Sequence, residues 1–335
     1  MRLFMSNAIV ILLLSGLAFL DLIGYGIRQG VGQLKILRKA EPLEEVLKKD
    51  ELPNNYRDKI KWINEVKQFA YDSLKLDKTD NYTTFYDHGD DPILWVVTAT
   101  PQFSLQPHRW KYPFLGSLPY KGHFKKKLAV REKRNLDTLG FDTRIGSVDA
   151  WSTLGWFSDP ILSGMLQRDS AELAELIIHE LTHSTIYLPS QGDFNENLAT
   201  FIGRQGAMKL LISKGEKDLL KRYGQNLDDE VTLRLYLNQS AKDLDSLYQN
   251  FDSDLSGLKK RNLKKQKIQS ILDGLLKLEL KEKDLNPAYF NSDRVNNAFF
   301  STYLTYNSAQ DSLQSDLDQN YGGDLVRYID HFRDM

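Results

Sequence analysis

The chain changes its hydrophobic pattern three times. From Leu3 to Leu20 it is almost continuously apolar and carries no charge (LFMSNAIVILLLSGLAFL); Asp21 interrupts, and Leu22–Ile27 is uncharged again. About 20 apolar residues cross a bilayer core, so residues 1–27 are expected to form an uncleaved membrane anchor. A cleaved signal segment competes, with Gly16-x-Ala18 as a weak cleavage site; a buried core helix fits a terminus poorly. Arg28, Lys35, Arg38 and Lys39 follow the span, whereas Arg2 alone precedes it. Read literally, that asymmetry keeps the body in the cytoplasm, while the signal-like layout favours export. The expectation adopted is a membrane-anchored protein with an extracytoplasmic body.

Beyond the apolar run the period becomes helical. Glu41–Leu76 predicts charged helices, with Pro42 in a first turn and Pro53 at a second start. Tyr82–Tyr86 and Ile93–Thr98 (ILWVVT) read as strands. A proline- and aromatic-rich stretch follows, then a basic amphipathic helix over Lys121–Leu139 stopped at Gly140, then a strand over Asp142–Trp151. From Asp169 the pattern is almost wholly helical: Asp169–Leu188, Phe194–Ser213, Asp228–Phe251, Leu255–Lys283 and Ala288–Leu317. The expected class is α+β, mostly helical. Residues 28–168 form the mixed part of one domain over 28–335, and residues 169–335 form its helical part. No internal repeat or low-complexity tract interrupts it.

Composition narrows the chemistry. Lys and Arg (44) balance Asp and Glu (45) at a net charge of -1. A polyanion binder needs a positive excess, so no nucleic-acid partner is expected. With no cysteine and six histidines, any metal must be held by His, Asp and Glu, and thiolate chemistry is excluded.

Residues 179–183 read HELTH. On a helix, His179 and His183 lie one turn apart on the same face and can both point a nitrogen at one divalent ion. Glu180 falls about 100° around the helix, beside such an ion without being its natural ligand, where a general base for water would stand. Leu173, Leu176 and Ile177 give the preceding turns a core face, Asp169 or Ser170 can cap the start, and Pro189 stops the helix.

A catalytic zinc takes three protein ligands. Glu196 is the one Glu between Glu180 and Glu216, and it stands just past a short loop that makes its helix an antiparallel neighbour of the HELTH helix. Ala199, one turn on, is small enough for close approach. Glu196 is therefore expected as third ligand to a single zinc ion. The alternatives are a capping box, Asp193-x-x-Glu196, and Asp193 as the ligand.

HELTH followed by FNENLATF resembles the gluzincin group of zinc peptidases. More closely, the chain is similar to the bacterial putative aminopeptidase family. The resemblance runs through GQLKILRKAEPLEEVL, NYTTFYDHG, FSLQPHRWKYPFLGSLPYKGHF, AWSTLGWFSDPILSGML, the zinc segment and RVNNAFFSTYLTY. It implies a zincin-like core, zinc on His179, His183 and Glu196, Glu180 as base, a peptide substrate and a place in the bacterial envelope, on the periplasmic side. Family members typically carry a lipoprotein-type cysteine where this chain reads GYG at 24–26, so lipid anchoring is excluded here.

Further candidates follow. In zinc peptidases of this type an extended segment before the metal helix binds the substrate backbone. Asp149, Trp151, Ser152, Thr153 and Gly155 lie in the corresponding segment, DAWSTLGW, which could equally be a core strand and turn. Asn296, Asn297, Tyr303 and Tyr306 could donate to an oxyanion, or pack and cap a helix. Asp149 or Asp159 could clamp a substrate amine. His88, His108 and His123 read as structural or surface residues, and KKRNLKKQK at 259–267 as a solvated face. The expected function is a zinc-dependent peptidase, an aminopeptidase by resemblance. An endopeptidase with the same site and a non-catalytic tethered protein with structural zinc remain open.

Overall fold

The computed structural model describes residues 24–335 apart from 90, 113–115, 149–157, 289, 292–294 and 306–309. The chain begins with α1 (24–39), then β1 (Glu41–Pro42), α2 (Leu43–Val46), α3 (Asn54–Asp72), β2 (Thr84–Tyr86) and β3 (Leu94–Pro101). Next come β4 (Trp110–Tyr112), β5 (Gly116–Leu118), β6 (Lys121–His123), α4 (Lys126–Thr138), β7 (Phe141–Val148) and β8 (Ile161–Leu162). The helical part holds α5 (Ser170–Thr185), α6 (Gly192–Lys214), α7 (Lys217–Gln249), α8 (Gly257–Leu275), α9 (Asn297–Thr305), α10 (Gln310–Tyr321) and α11 (Leu325–Arg333). The α+β, mostly helical class expected from the pattern is therefore observed.

The membrane-anchored envelope location is corrected. Among the described residues, no helix is long and apolar enough to cross a membrane. Residues 24–27 of the expected span open α1 instead, and residues 3–23 lie outside the described residues. Helix α1 carries Arg28, Lys35, Arg38 and Lys39 and docks on the protein. Tyr25 Oη and Gln29 Nε2 both donate to Gly122 O, at 3.0 and 2.9 Å, and Ile36 is buried in the main core. Charge on one face and docking on another suit a helix of the folded body, not a lipid-facing span.

The strands form three small sheets. In the main one, β3 lies between β6 and β7, antiparallel to both, and pairs with β7 from Leu94↔Val148 to Pro101↔Phe141. Helix α4 covers it through Ala129 and Leu136, which meet Val97 and Ala99. β1, β2 and β8 form the second sheet and β4–β5 a hairpin.

Most helices appear where the pattern puts them, and the departures trace to contacts with segments distant in the chain. Residues 121–123 are strand, not helix, because Gly122 fits beneath Leu94, where a Cβ would meet Leu94 Cδ2 at 2.9 Å. Helix α8 ends at Leu275 rather than running to Lys283. The buried Asp229 carboxylate instead accepts the backbone N–H groups of Lys281, Glu282 and Lys283 at 2.8–3.0 Å. That satisfies donors a helix would otherwise pair internally. Within 259–267, Lys264 departs from the solvated face: it is buried and ion-paired with Asp142 of β7 at 2.5 Å.

Besides the small cluster beneath α4, two larger apolar clusters divide the interior. The larger joins α3, α5, α6, α10 and α11, with Ile60, Ile63, Val66, Leu173, Ile177, Ile202 and Tyr328 buried. The second joins α7, α8 and α9 through Leu237, Leu244, Ile271, Leu272 and Phe300. Helices α5 and α6 belong to the first.

Candidate metal centre

The HELTH helix is fixed before its chemistry begins. Asp169 caps α5, its carboxylate accepting from the backbone N–H groups of Ala171 and Glu172, both at 2.8 Å. Trp62 Nε1 of α3 donates to Ser170 O at 2.7 Å. Leu173, Ala174, Ile177, Ile178 and Leu181 are fully buried, so the helix cannot rotate without exposing them. At its far end Asn81 Nδ2 donates to Ser184 Oγ at 3.3 Å, and Asp77 N donates to Thr185 Oγ1 at 3.0 Å. This staples the 77–82 loop beside the histidines.

Helix α6 then runs back along α5. The close approach depends on Gly203 as well as on the buried Ala199. A Cβ on Gly203 would stand 2.8 Å from Glu175 O and 3.3 Å from both Cβ and N of His179. The approach brings Glu196 to the histidines. His179 Nε2 and His183 Nε2 lie 3.1 Å apart, with ring planes at 85°. Glu196 Oε2 is 3.5 Å from His179 Nε2, and Oε1 is 3.4 Å from His183 Nε2. Helix α6 begins after Gln191, which makes no side-chain cap, and Glu196 faces the histidines, so the capping-box alternative for Glu196 is not what forms.

Charge complements this geometry. Hydrogen bonds from His179 and His183 hold the Glu196 carboxyl far below the usual carboxylate range. At His183 burial opposes a proton, but the hydrogen bond and charge of Glu196, with the charge of Glu180, outweigh it and raise its pKa. Thr200 Oγ1 lies 3.4 Å from His179 Nδ1, a partner that would leave Nε2 free for an ion.

The residues present fit a metal. Four-coordinate zinc places imidazole nitrogens at about 2.0–2.1 Å, hence neighbouring ligand atoms roughly 3.3 Å apart. The separations here are 3.1, 3.4 and 3.5 Å, and one ligand atom from each of the three residues falls within 4.8 Å of the others. No other group of three or more such side chains arises among the described residues. Glu180 Oε2 is buried next to this triangle on the same helix.

Other expectations fare differently. Asp149, Trp151, Ser152, Thr153, Gly155 and Tyr306 lie outside the described residues. Asn296 caps α9, accepting from Ala298 N at 3.1 Å and donating to Thr143 O at 2.9 Å. Asn297 is fully buried and donates to the carbonyls of Pro101, Gln102 and Ser104, each at 3.1 Å, while accepting from Tyr248 Oη at 2.7 Å. Both amides thus tie α9 to neighbouring segments, the packing and capping alternative for them. Asp159 is buried, and its carbonyl accepts from Tyr82 N at 2.7 Å. Tyr303 lines a cavity together with Thr200. His88 is structural: its Nε2 accepts from Gly164 N at 3.0 Å.

Two tyrosines escaped sequence reasoning. Tyr82 is buried with φ of 60°, a left-handed conformation that costs a bulky residue energy and often marks a site. Burial, then the charges of Glu180 and Asp159, push its phenol well above the ordinary value. Tyr120, before β6, is raised by burial and by the Glu196 charge. Neither has a spacing signal, because each comes under the charge of Glu180 or Glu196 from the β-rich part only through long-range folding.

No solved structure matches this chain. One curated relative, argininosuccinate lyase of Chloroflexus aggregans, is 29% identical over 130 residues. The match covers 37% of this chain and only 27% of the lyase, so it carries no argument about activity. The family match is of another order: it runs over residues 24–335, from α1 through α5 and α6 to the last residue, and the chain belongs to the family described as "Putative aminopeptidase".

Proposed function

We propose that this protein is a zinc-dependent peptidase, acting as an aminopeptidase, with residues 28–335 as one catalytic unit. The observation that carries the reading is the triangle of His179, His183 and Glu196, with ligand atoms 3.1–3.5 Å apart and the Glu180 carboxylate beside it on the same helix. Two imidazoles and a carboxylate without thiolate form the donor set of catalytic zinc sites. A zinc ion held there supplies positive charge that acidifies water and polarises a peptide carbonyl. Glu196 is kept ionised by its two histidine partners and so remains a ligand at neutral pH. Glu180 takes the proton from the attacking water and delivers it to the leaving amine. Membership of the putative aminopeptidase family supports a peptide as substrate.

The test separates binding from chemistry. His179→Ala, His183→Ala and Glu196→Ala should each lose stoichiometric zinc, with affinity falling by orders of magnitude. Glu180→Gln should keep zinc and fold but lose hydrolysis by about 10²–10⁴-fold or more. Metal analysis and peptide turnover read the two independently. A Glu180→Gln enzyme within about tenfold of wild type would make Glu180 a bystander. Equal cleavage of amino-terminally free and blocked peptides would refute the aminopeptidase assignment.

A further inference from the structure

A cavity of about 450 Å³ opens beside the metal helices, between α6, α7, the end of α8, α9 and the start of α10. Its volume falls in the range of roughly 300–1,000 Å³ typical of small-molecule pockets. Leu233, Leu237, Leu275, Leu285, Phe290 and Phe299 give it an apolar wall. The opposite wall is α6, through Asn197 and Thr200, and it connects the cavity to the candidate centre. Thr200 Oγ1 is 3.4 Å from His179 Nδ1. Thr200 also stands one turn past Glu196, about 6 Å along the helix axis. An extended peptide advances about 3.3 Å per residue. A side chain one or two residues from a bond lying at the His–Glu triangle would therefore reach this cavity.

The cavity's charges are unequal. Arg204 is committed: it pairs with Glu175 of α5 at 3.1 Å and with Glu230 of α7 at 2.7 Å, and Lys283 also pairs with Glu230 at 3.1 Å. Arg234 is half-buried, lines the cavity, and has no hydrogen-bond or ion-pair partner among the described residues. A guanidinium with no such partner among the described residues, at the edge of an apolar wall, can lie over an aromatic face. It repels a lysine or arginine side chain. A carboxylate entering the cavity would gain Arg234 but lose its water against leucine and phenylalanine.

We propose that this cavity is the substrate side-chain pocket of the metal centre and receives a large apolar, above all aromatic, side chain adjacent to the bond cleaved. The proposal rests on the peptidase reading above and adds to it the class of peptide preferred.

Binding is measured first, by calorimetry on the zinc-loaded full chain with phenylalanine amide, alanine amide and lysine amide as probes. Phenylalanine amide should bind at least about tenfold tighter than alanine amide, and lysine amide weakest, since ring burial at about 25 cal/mol per Å² exceeds that gap. Val231→Trp and Thr302→Trp each place a ring in the cavity from its rim. Each should weaken phenylalanine amide at least about tenfold with zinc content unchanged, and two variants guard against a folding failure in one. Leu235→Trp, on the solvent side of α7 and outside the cavity, should bind as wild type does. Equal affinity for the three amides, or the same loss in Leu235→Trp as in the rim variants, overturns the pocket. Hydrolysis is scored separately. Wild type that binds phenylalanine amide selectively but cleaves no peptide refutes the peptidase reading and keeps the pocket. Cleavage with no preference between phenylalanine and alanine substrates refutes the pocket and keeps the peptidase.

Discussion

The α5–α6 pair and the α7–α8–α9 assembly are both helical and both bury leucine-rich faces, yet they are built for opposite ends. Helices α5 and α6 approach so closely that a methyl on Gly203 would overlap a backbone carbonyl, and they share one continuous core with α3, α10 and α11. The second assembly closes its own smaller core and leaves its partly buried flank, Leu233, Leu285, Phe290, Phe299 and Tyr303, lining a cavity. Close packing suits a set of ligands that must hold distances to fractions of an ångström. A looser apolar wall suits side chains of variable shape. Arg204 ties the two, reaching Glu175 on one side and Glu230 on the other.

That contrast can be broken at either end. The largest effect is expected at Gly203→Ala. The added methyl pushes α6 off α5, costing about 1–3 kcal/mol of stability and lowering zinc affinity about 10–100-fold. Denaturant unfolding and metal titration measure both, and unchanged zinc affinity would show that the helix spacing does not set the ligand distances. Asn297→Ala acts on the other assembly. It strips partners from three carbonyls and from Tyr248, so it should cost about 1–2 kcal/mol while zinc stoichiometry stays at the wild-type value. Zinc loss in that variant would mean that the two regions are one cooperative unit. The smallest effect concerns pH and neither helical region. His123 of β6 is pushed down to about 4 by burial, helped by the charge of Lys121. Between its unfolded value near 6.5 and that folded value, the unfolded chain binds the extra proton. Stability is therefore full above pH ~6.5 and falls as pH drops toward 4. The loss is on the order of 1 kcal/mol after screening, and His123→Gln should flatten it in pH-dependent melts.

The histidine pair, Glu180 between them and the helix that carries all three were legible because they are local. A spacing of four places two side chains on one face whatever the rest of the chain does. The cap at Asp169 and the apolar stripe of α5 were legible for the same reason. Glu196 lay at the limit of this logic: a short loop implied an antiparallel neighbour, but facing depended on helix spacing, which Gly203 decides. The amides of Asn296 and Asn297 looked functional because a sequence shows a polar pair and not the carbonyls it will meet. Lys264 looked solvated because eight of the nine residues of 259–267 are charged or amide-bearing, and Asp142 comes from a strand more than a hundred positions away.

By itself, then, the sequence determined the class of fold, the helix that bears the metal motif and the kind of atoms able to hold an ion, since periodicity and side-chain chemistry are properties of short segments. The tertiary structure decided the rest: that Glu196 closes the triangle, that the phenols of Tyr82 and Tyr120 feel the charges of Glu180 and Glu196, that Asn297 is a structural tie, that residues 24–39 pack on the body, and that an apolar cavity opens one turn from Glu196. Each of these depends on contacts between segments far apart in the chain, where packing energy, not local propensity, selects the partner.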